Sequence, residues 1–217
     1  QFQDINYQLA AEHGGSPDDF SEHIRIAVAH NADDQAETIL FRVLRGTGTD
    51  GLAGIAYERK ERGFSVIRPI LDIPRKEIEE YCREHDLSPV EDHTNHQSIY
   101  TRNKIRLELL PELEKEYNEN VRGALLRLGK IAASDSDYLQ QCAEEALQEF
   151  LRETSSDEVV LERDGLAGIH EALRHRILLQ SFTRLGLTSD ISAERIAAAD
   201  RIIEKKQAPK TVEFPAE

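Results

Sequence analysis

The apolar positions in the first half of the chain alternate between strand and helix patterns, as is typical of an α/β fold. Residues 24–30, IRIAVAH, form a compact run rich in β-branched side chains, which predicts a buried strand of a parallel sheet. Residues 31–46 place apolar side chains three and four positions apart, which predicts a helix. Asn31 or Asp33 can cap its beginning, and Gly46 ends it. The predicted apolar stripe of this helix is formed by Ala36, Ile39, Leu40, Val43 and Leu44.

The same alternation continues to about Leu87. Residues 64–67 predict a second strand, and residues 74–87 predict a helix with Pro74 in its first turn. Near the start of the chain, a further helix is predicted for Asp4–Glu12, before the sequence GGSPDD interrupts the pattern.

The second half of the chain is predicted to be mainly helical. From Tyr100 onward the apolar residues recur every three or four positions, with breaks at Pro111 and at residues 154–158 and 187–190. Only residues 158–162, EVVLE, predict a strand there. The pattern as a whole predicts an α/β domain with a parallel sheet, followed by a mainly α-helical domain.

Composition narrows the class of protein. The chain has 217 residues, 39% of them hydrophobic, and no apolar run long enough to cross a bilayer, so we expect no membrane partner. Cys82 and Cys142 lie far apart and outside any CxxC pattern, which favours the reducing cytoplasm. The net charge of -14 argues against a uniformly basic nucleic-acid surface, so RNA binding would need a local basic patch.

Candidate chemistry is concentrated where the first predicted strand meets its helix. His30 ends the strand, at the edge where open α/β sheets bind ligands. Asp34 and Glu37 share a helix face, and Asp33 with Glu37 is the alternative pair. Acids in a first turn can simply complement the helix dipole. Together with His30 and the glycines of residues 46–54, they suit a magnesium ion, an ammonium group, or both.

Basic residues are concentrated just after Tyr100. Arg102 and Arg106 are four positions apart and share a helix face with Lys104 nearby, which suits RNA contact, although acidic neighbours could equally balance them. Two further basic sets are predicted to be solvated helix faces: Arg122, Arg127 and Lys130, and Arg174, His175 and Arg176.

Three separated blocks of the chain resemble one family. Residues 29–55, AHNADDQAETILFRVLRGTGTDGLAGI, resemble the signature of the tRNA(Ile)-lysidine synthases, members of the PP-loop ATP pyrophosphatase group. The similarity continues in residues 67–87 and 91–113, and more weakly in residues 170–182. The resemblance implies an adenine-nucleotide alpha-hydrolase-like fold, with ATP and Mg²⁺ as cofactors. It also implies L-lysine and isoleucine tRNA with a CAU anticodon as substrates: ATP adenylates the C2 oxygen of the wobble cytidine, and the lysine amine then displaces AMP.

The resemblance also implies roles for individual residues. Its motif positions match His30, Asp34 and Glu37 as catalytic residues, with no residue assigned to a metal. It implies ATP, lysine or tRNA contacts for Asp33, Arg45, Gly46, Gly48, Arg68, Asp92, Asn95, Arg102, Asn103 and Arg106.

The chain departs from the family pattern at two places. Asn31 stands where the family often has a second histidine. The phosphate-binding SGGxDS loop is absent, and His13–Asp19, HGGSPDD, is not that loop because it follows a predicted helix and lacks the DS spacing. Without that loop we expect the chain to be inactive by itself. The start at Gln1, the absence of methionine and the ending TVEFPAE, which has no capping signal, lead us to expect that both ends are cut.

We predict three segments from this resemblance: residues 1–114 as part of a PP-loop ATPase domain, 115–207 as a helical tRNA-recognition domain, and 208–217 as a linker. Two alternatives are another PP-loop tRNA-modifying enzyme and a non-catalytic RNA-binding module. A thiolase is the weaker alternative, because the two cysteines do not form a pair. The oligomeric state stays open, and a homodimer is one option.

Overall fold

The computed structural model describes residues 25–61, 64–89, 101–187 and 191–204. Packing divides the chain into two compact units, Gln1–Ala133 and Ser134–Glu217. The predicted helix Asp4–Glu12 lies outside the described residues. The division of function at residue 114 stays a prediction, and the structural boundary lies further along the chain. No helix in the described ranges is both long enough and apolar enough to span a membrane.

The first unit contains strands and helices in alternation. In chain order they are β1 (Arg25–Ala27), α1 (Ala32–Arg45), α2 (Thr49–Leu52), β2 (Glu58–Glu61), β3 (Phe64–Ile67), α3 (Arg75–Glu84), α4 (Thr101–Lys104), a π-helical turn (Ile105–Leu109), α5 (Leu110–Glu116) and the beginning of α6 (Val121–Phe150).

The sheet of this unit is mixed, with the strand order β1-β3-β2. β1 and β3 are parallel, with Ala27 opposite Ile67, and β3 has the predicted bounds. β1 is shorter than the predicted strand of residues 24–30. β2 runs antiparallel to β3, so the predicted parallel sheet is confirmed only for β1 and β3. β2 was not predicted because its sequence, ERKE, has the charged composition of an edge strand and no alternation of apolar and polar residues.

Helix α1 begins and ends as the sequence predicts. The Asn31 side chain accepts hydrogen bonds from the amides of Asp33 and Asp34, and the Asp34 carboxylate accepts one from the Asn31 amide. This reciprocal arrangement is a capping box. The helix ends at Gly46, whose φ of 76° lies in the left-handed region that glycine adopts without strain.

The predicted apolar stripe of α1 is only partly buried. Ala36, Ile39 and Leu40 lie in the core, whereas Val43 and Leu44 are 45% and 59% exposed. The last turn of α1 therefore extends beyond the part of the unit that covers it, which periodicity alone does not reveal.

The predicted break at Pro111 is absent. The helical run continues from α4 through the π-helical turn into α5, and Pro111 lies in the first turn of α5. Pro111 has no amide hydrogen to donate to the preceding turn, so the continuing run lacks one backbone hydrogen bond at this position. The π-helical turn accommodates the change of helix geometry in front of it.

The second unit is helical apart from a β-hairpin. After the rest of α6 it contains β4 (Leu151–Thr154), β5 (Val159–Leu161), α7 (Arg163–Ala167), α8 (Glu171–Arg184) and α9 (Ala193–Glu204). The predicted strand is confirmed as β5, but its antiparallel partner β4 was predicted as helix. The sequence LRET gives no alternating pattern to mark a strand. A core cluster is formed by Ala143, Leu147, Leu166 and Ile177.

A buried ion cluster joins α8 to α9. Arg174 is only 5% exposed, so its predicted place on a solvated face is wrong. Its guanidinium donates to both carboxylate oxygens of Asp200, at 2.6 and 3.0 Å, and to Glu204 at 2.8 Å. His175 Nε2 lies 3.3 Å from Asp200. Burial acts to raise the pKa of Asp200, but the hydrogen bond and charge of Arg174 outweigh it and lower that pKa.

We expect this cluster to make the stability of the second unit sensitive to acid. A lowered carboxylate pKa stabilises the fold above the ordinary value of 3.8, and the stabilisation is lost as pH falls through the lowered value. Asp200→Asn should therefore lower the free energy of unfolding by about 2–3 kcal/mol at pH 7, and by progressively less below about pH 3.8. Urea unfolding at a series of pH values measures this difference. The matched control is Asp164→Asn at an exposed position, and a constant difference down to pH 2.5 would contradict the assignment.

Candidate functional site

Two predicted catalytic acids and two predicted RNA-contact arginines form one ion cluster in the first unit. Arg106 donates from Nε to Glu37 Oε1 at 2.6 Å and from Nη2 to Glu37 Oε2 at 3.0 Å. Its Nη2 also donates to Asp34 Oδ1 at 2.9 Å. Arg102 contacts both acids at 3.3 Å. We call Asp34, Glu37, Arg102 and Arg106 the acid–arginine cluster.

The local sequence explains why this cluster is buried on one side. Glu37 lies beside Ala36 on the inner face of α1, and its side chain is 1% exposed. Asp34 is one turn earlier on the same face and is 16% exposed. A carboxylate as buried as Glu37 needs a paired cation, because desolvation of an isolated charge is very costly. Arg106 meets this need with two parallel hydrogen bonds, the strongest geometry for such a pair.

The acid–arginine cluster contains equal numbers of acidic and basic side chains. The hydrogen bond to Glu37 is the main cause of a raised pKa of Arg106, which keeps the guanidinium charged. Burial acts in the opposite direction, and the charges of Glu37 and Asp34 reinforce the upward shift. Two acids therefore face two arginines, and the carboxylate oxygens already accept hydrogen bonds.

The oxygens of these carboxylates already have hydrogen-bond partners, which leaves few of them for a magnesium ion. A hard divalent cation needs several free oxygen ligands, whereas the oxygens of Asp34 and Glu37 are engaged by arginine and by the Asn31 amide. Within the described ranges, no three or more His, Cys, Asp or Glu residues are grouped so that they could hold a metal ion.

Asp33 points to different partners from its two acidic neighbours. Its Oδ2 accepts from the Arg75 amide at the start of α3, at 2.8 Å. Its Oδ1 pairs with Arg122 of α6 at 2.9 Å, and Arg122 also pairs with Glu114. Arg122 is thus engaged in the fold, which corrects its predicted place on a solvated face. Asp33 lies outside the acid–arginine cluster and connects three helices.

The glycine-rich loop after α1 is fixed by side chains that sequence reasoning missed. Gln35 donates to the carbonyls of Ala53 and Ile55 and accepts from the Ile55 amide. Arg42 donates to the carbonyls of Gly51 and Gly54 at 2.9 and 2.7 Å. Gln35 and Arg42 are seven positions apart, so their shared helix face was a signal available in the sequence.

Two loop glycines have a packing reason. A side chain at Gly51 would collide with Thr47, and one at Gly54 would collide with Gln35. Gly46 and Gly48, which we predicted as substrate contacts, have open space where a side chain would project. Arg45, predicted with them, is exposed and places its guanidinium carbon 5.0 Å from the centre of the Phe41 ring. No described hydrogen bond or ion pair joins these three residues to the acid–arginine cluster.

Two of the remaining predicted residues follow the ends of the parallel strands β1 and β3. Arg68 directly follows β3 and is only 8% exposed, with Nη1 donating to the Ala56 carbonyl at 2.8 Å. His30 follows β1 and is half-buried. Asn103 is half-buried in α4. Asp92 and Asn95 lie outside the described residues.

We expect the Glu37–Arg106 pair to be strongly coupled in stability. Arg106→Met should lower the free energy of unfolding by about 3–5 kcal/mol, because it leaves a buried carboxylate without its main partner. Adding Glu37→Gln should restore part of this loss, which a double-mutant cycle in urea measures. The control is Arg75→Met, which removes the exposed Arg75–Glu79 pair and should cost less than about 0.5 kcal/mol. Additive losses in the cycle would disprove the coupling.

Comparison with known proteins shows what the chain is similar to. Residues 19–113 match the model of the PP-loop domain. The chain is 38% identical over 192 residues to a tRNA(Ile)-lysidine synthase of Clostridioides difficile, covering 88% of this chain and 41% of that relative. It is 45% identical over 136 residues to the Clostridium acetobutylicum enzyme of that name, covering 63% of this chain and 29% of the relative. It is 33% identical over 202 residues to the tRNA(Ile)-lysidine synthase of a Nostoc species, and this match covers 88% of this chain and 59% of that relative.

The first of these relatives is matched along about two fifths of its length, although the match covers most of this chain. The resemblance seen in the sequence and the PP-loop match agree on the same segment, which contains α1 and the acid–arginine cluster. The chain therefore belongs to the tRNA(Ile)-lysidine synthase family.

Proposed function

We propose that this chain takes part in the ATP-dependent ligation of lysine to C2 of the wobble cytidine of isoleucine tRNA. The observation that carries the proposal is the pair of acids Asp34 and Glu37, which share one face of α1 inside the segment that matches the PP-loop domain. Paired carboxylates on a rigid helix suit an ammonium group, and lysine provides one.

Of the two acids, we assign the ligand contact to Asp34, because it is the more exposed. Its side chain is 16% exposed, whereas that of Glu37 is 1% exposed. Asp34 Oδ1 already accepts from both Arg102 and Arg106, so an incoming ammonium group competes with guanidinium for the same oxygen. Glu37 acts as a positioning residue, because its contact with Arg106 fixes that guanidinium beside Asp34.

The reaction that we propose has two steps. ATP supplies the adenylyl group that the C2 oxygen of the cytidine takes up, and pyrophosphate leaves. The lysine amine then attacks C2, the bond from C2 to the adenylated oxygen breaks, AMP departs, and the amine loses a proton. The contribution that we assign to this chain is the orientation of lysine by Asp34. Mg²⁺ is implied by the family, and we do not place it on the acids of α1.

The exposed side of the same helical run suits tRNA. Arg102 retains 46% of its side-chain exposure although it contacts both acids, and Lys104 is exposed in the same short helix. Such cations can bind phosphate or stack on bases within an otherwise acidic protein. A cytoplasmic location and a homodimer stay predictions.

The test uses the intact gene product with ATP, Mg²⁺, lysine and isoleucine tRNA. We expect release of pyrophosphate and incorporation of labelled lysine into the tRNA. Asp34→Asn should lower kcat/KM for lysine by about tenfold to a hundredfold, the range for a lost hydrogen bond to a charged group. Glu37→Ala should abolish incorporation because it dismantles the acid–arginine cluster.

The matched control is Asp86→Asn. Asp86 is exposed and has a φ of 52°, a conformation that asparagine also tolerates, so this variant should retain full activity. Circular dichroism confirms that each variant is folded. Normal lysine incorporation by both Asp34→Asn and Glu37→Ala would refute the site assignment. Tight tRNA binding without pyrophosphate release would favour the non-catalytic RNA-binding module.

A further inference from the structure

A second group of polar side chains lies at the carboxyl ends of the two parallel strands. His30 follows β1, and Arg68 follows β3. The segments that carry them stay paired at both ends: the Val28 amide donates to the Ile67 carbonyl, and the Ala32 amide donates to the Ile73 carbonyl, each at 3.0 Å. His30 and Arg68 therefore lie on neighbouring segments at the edge where open α/β sheets bind ligands.

Arg68 is a buried cation without a described counter-charge. More than nine tenths of the residue is excluded from solvent. Its Nη1 donates to the neutral Ala56 carbonyl, and its buried Nε has no hydrogen-bond partner. Among the ion pairs of the described residues, none includes Arg68. Burial of a charge is costly unless an opposite charge lies beside it. The guanidinium of Arg68 is therefore suited to bind an anion that is not one of the described residues.

His30 adds a second polar group that is not satisfied within the fold. Its Nδ1 is buried and has no hydrogen-bond partner. In contrast, the amides at the start of α1 are already used, since the Ala32 amide donates to Ile73 and the next two amides donate to the Asn31 side chain. An anion at this edge would therefore find its free donors on Arg68 and His30, not at the helix start.

We propose that Arg68, on the segment next to the one that carries His30, binds an oxyanion of the substrate at the carboxyl edge of β1 and β3. The identity of that substrate rests on the proposed function: the oxyanion is either a phosphate of the nucleotide or the carboxylate of lysine. A planar guanidinium binds both groups with the same forked geometry. Arg106 is less suited to this role, because its Nε and Nη2 already donate to the carboxylates of Glu37 and Asp34.

The experiment measures ligand affinity in the intact gene product by isothermal titration calorimetry without tRNA. The three probes are pyrophosphate, L-lysine and cadaverine, which is lysine without its carboxylate. We expect Arg68→Met to raise the Kd of one oxyanion probe by about tenfold to a hundredfold, the range for a lost charge-assisted hydrogen bond, and to leave cadaverine binding unchanged. A selective effect on pyrophosphate assigns a phosphate, and a selective effect on lysine assigns the carboxylate.

Two further variants separate charge from structure. Arg68→Lys keeps the positive charge but not the forked guanidinium geometry, so it should lose part of the affinity for the same oxyanion probe. It also provides the comparison if Arg68→Met does not fold. Arg83→Met, at an exposed position of α3, is the matched control and should change no affinity. Thermal unfolding shows which variants are folded.

Three outcomes overturn the proposal: unchanged binding of both oxyanions by folded Arg68→Met, an equal loss for cadaverine, or no binding of either oxyanion to the unsubstituted protein. Because no tRNA is present, these outcomes are independent of lysidine formation. A protein that binds the oxyanion through Arg68 but makes no lysidine would refute the proposed function alone.

Discussion

The buried carboxylate of Glu37 is the constraint on which the first unit depends. Removed from water on the inner face of α1, it is compatible with folding only if a cation reaches it with good geometry. Arg106, 69 positions later in the chain, provides that cation. The pair thereby fixes the helical run that follows residue 100 against α1. A contact of this kind contributes to the position of the chain more than to its net stability, since its desolvation cost offsets much of its attraction.

The three acids of α1 contact different parts of the first unit. Asp33 connects α1 to the start of α3 and to Arg122, whereas Asp34 and Glu37 face the arginines after residue 100. Together with the buried Arg68 at the sheet edge, the unit carries carboxylates for a cation and a guanidinium for an anion. Free lysine carries charges of both signs.

Sequence reasoning succeeded where local and tertiary preferences agree. The capping residue of α1, its glycine end and the bounds of β3 follow from residue types that have a local structural preference. It failed for β2 and β4, whose charged or irregular sequences become strands only because a partner strand lies alongside. It also could not foresee that predicted acids and predicted RNA-contact arginines pair with each other. That pairing joins segments far apart in sequence, and no periodicity reports it.

The π-helical turn at Ile105–Leu109 has a consequence for the length of this segment. Ile105 and Leu110 are both buried in one apolar cluster, although residues five apart in a regular α-helix point about 140° away from each other. The wider turn brings both onto one side while Arg106 still reaches Glu37. Removal of a single residue here would restore α-helical pitch and force a choice between the apolar contact and the ion pair. Substitutions in this segment can therefore be tolerated more readily than deletions, because its register is set by the number of residues.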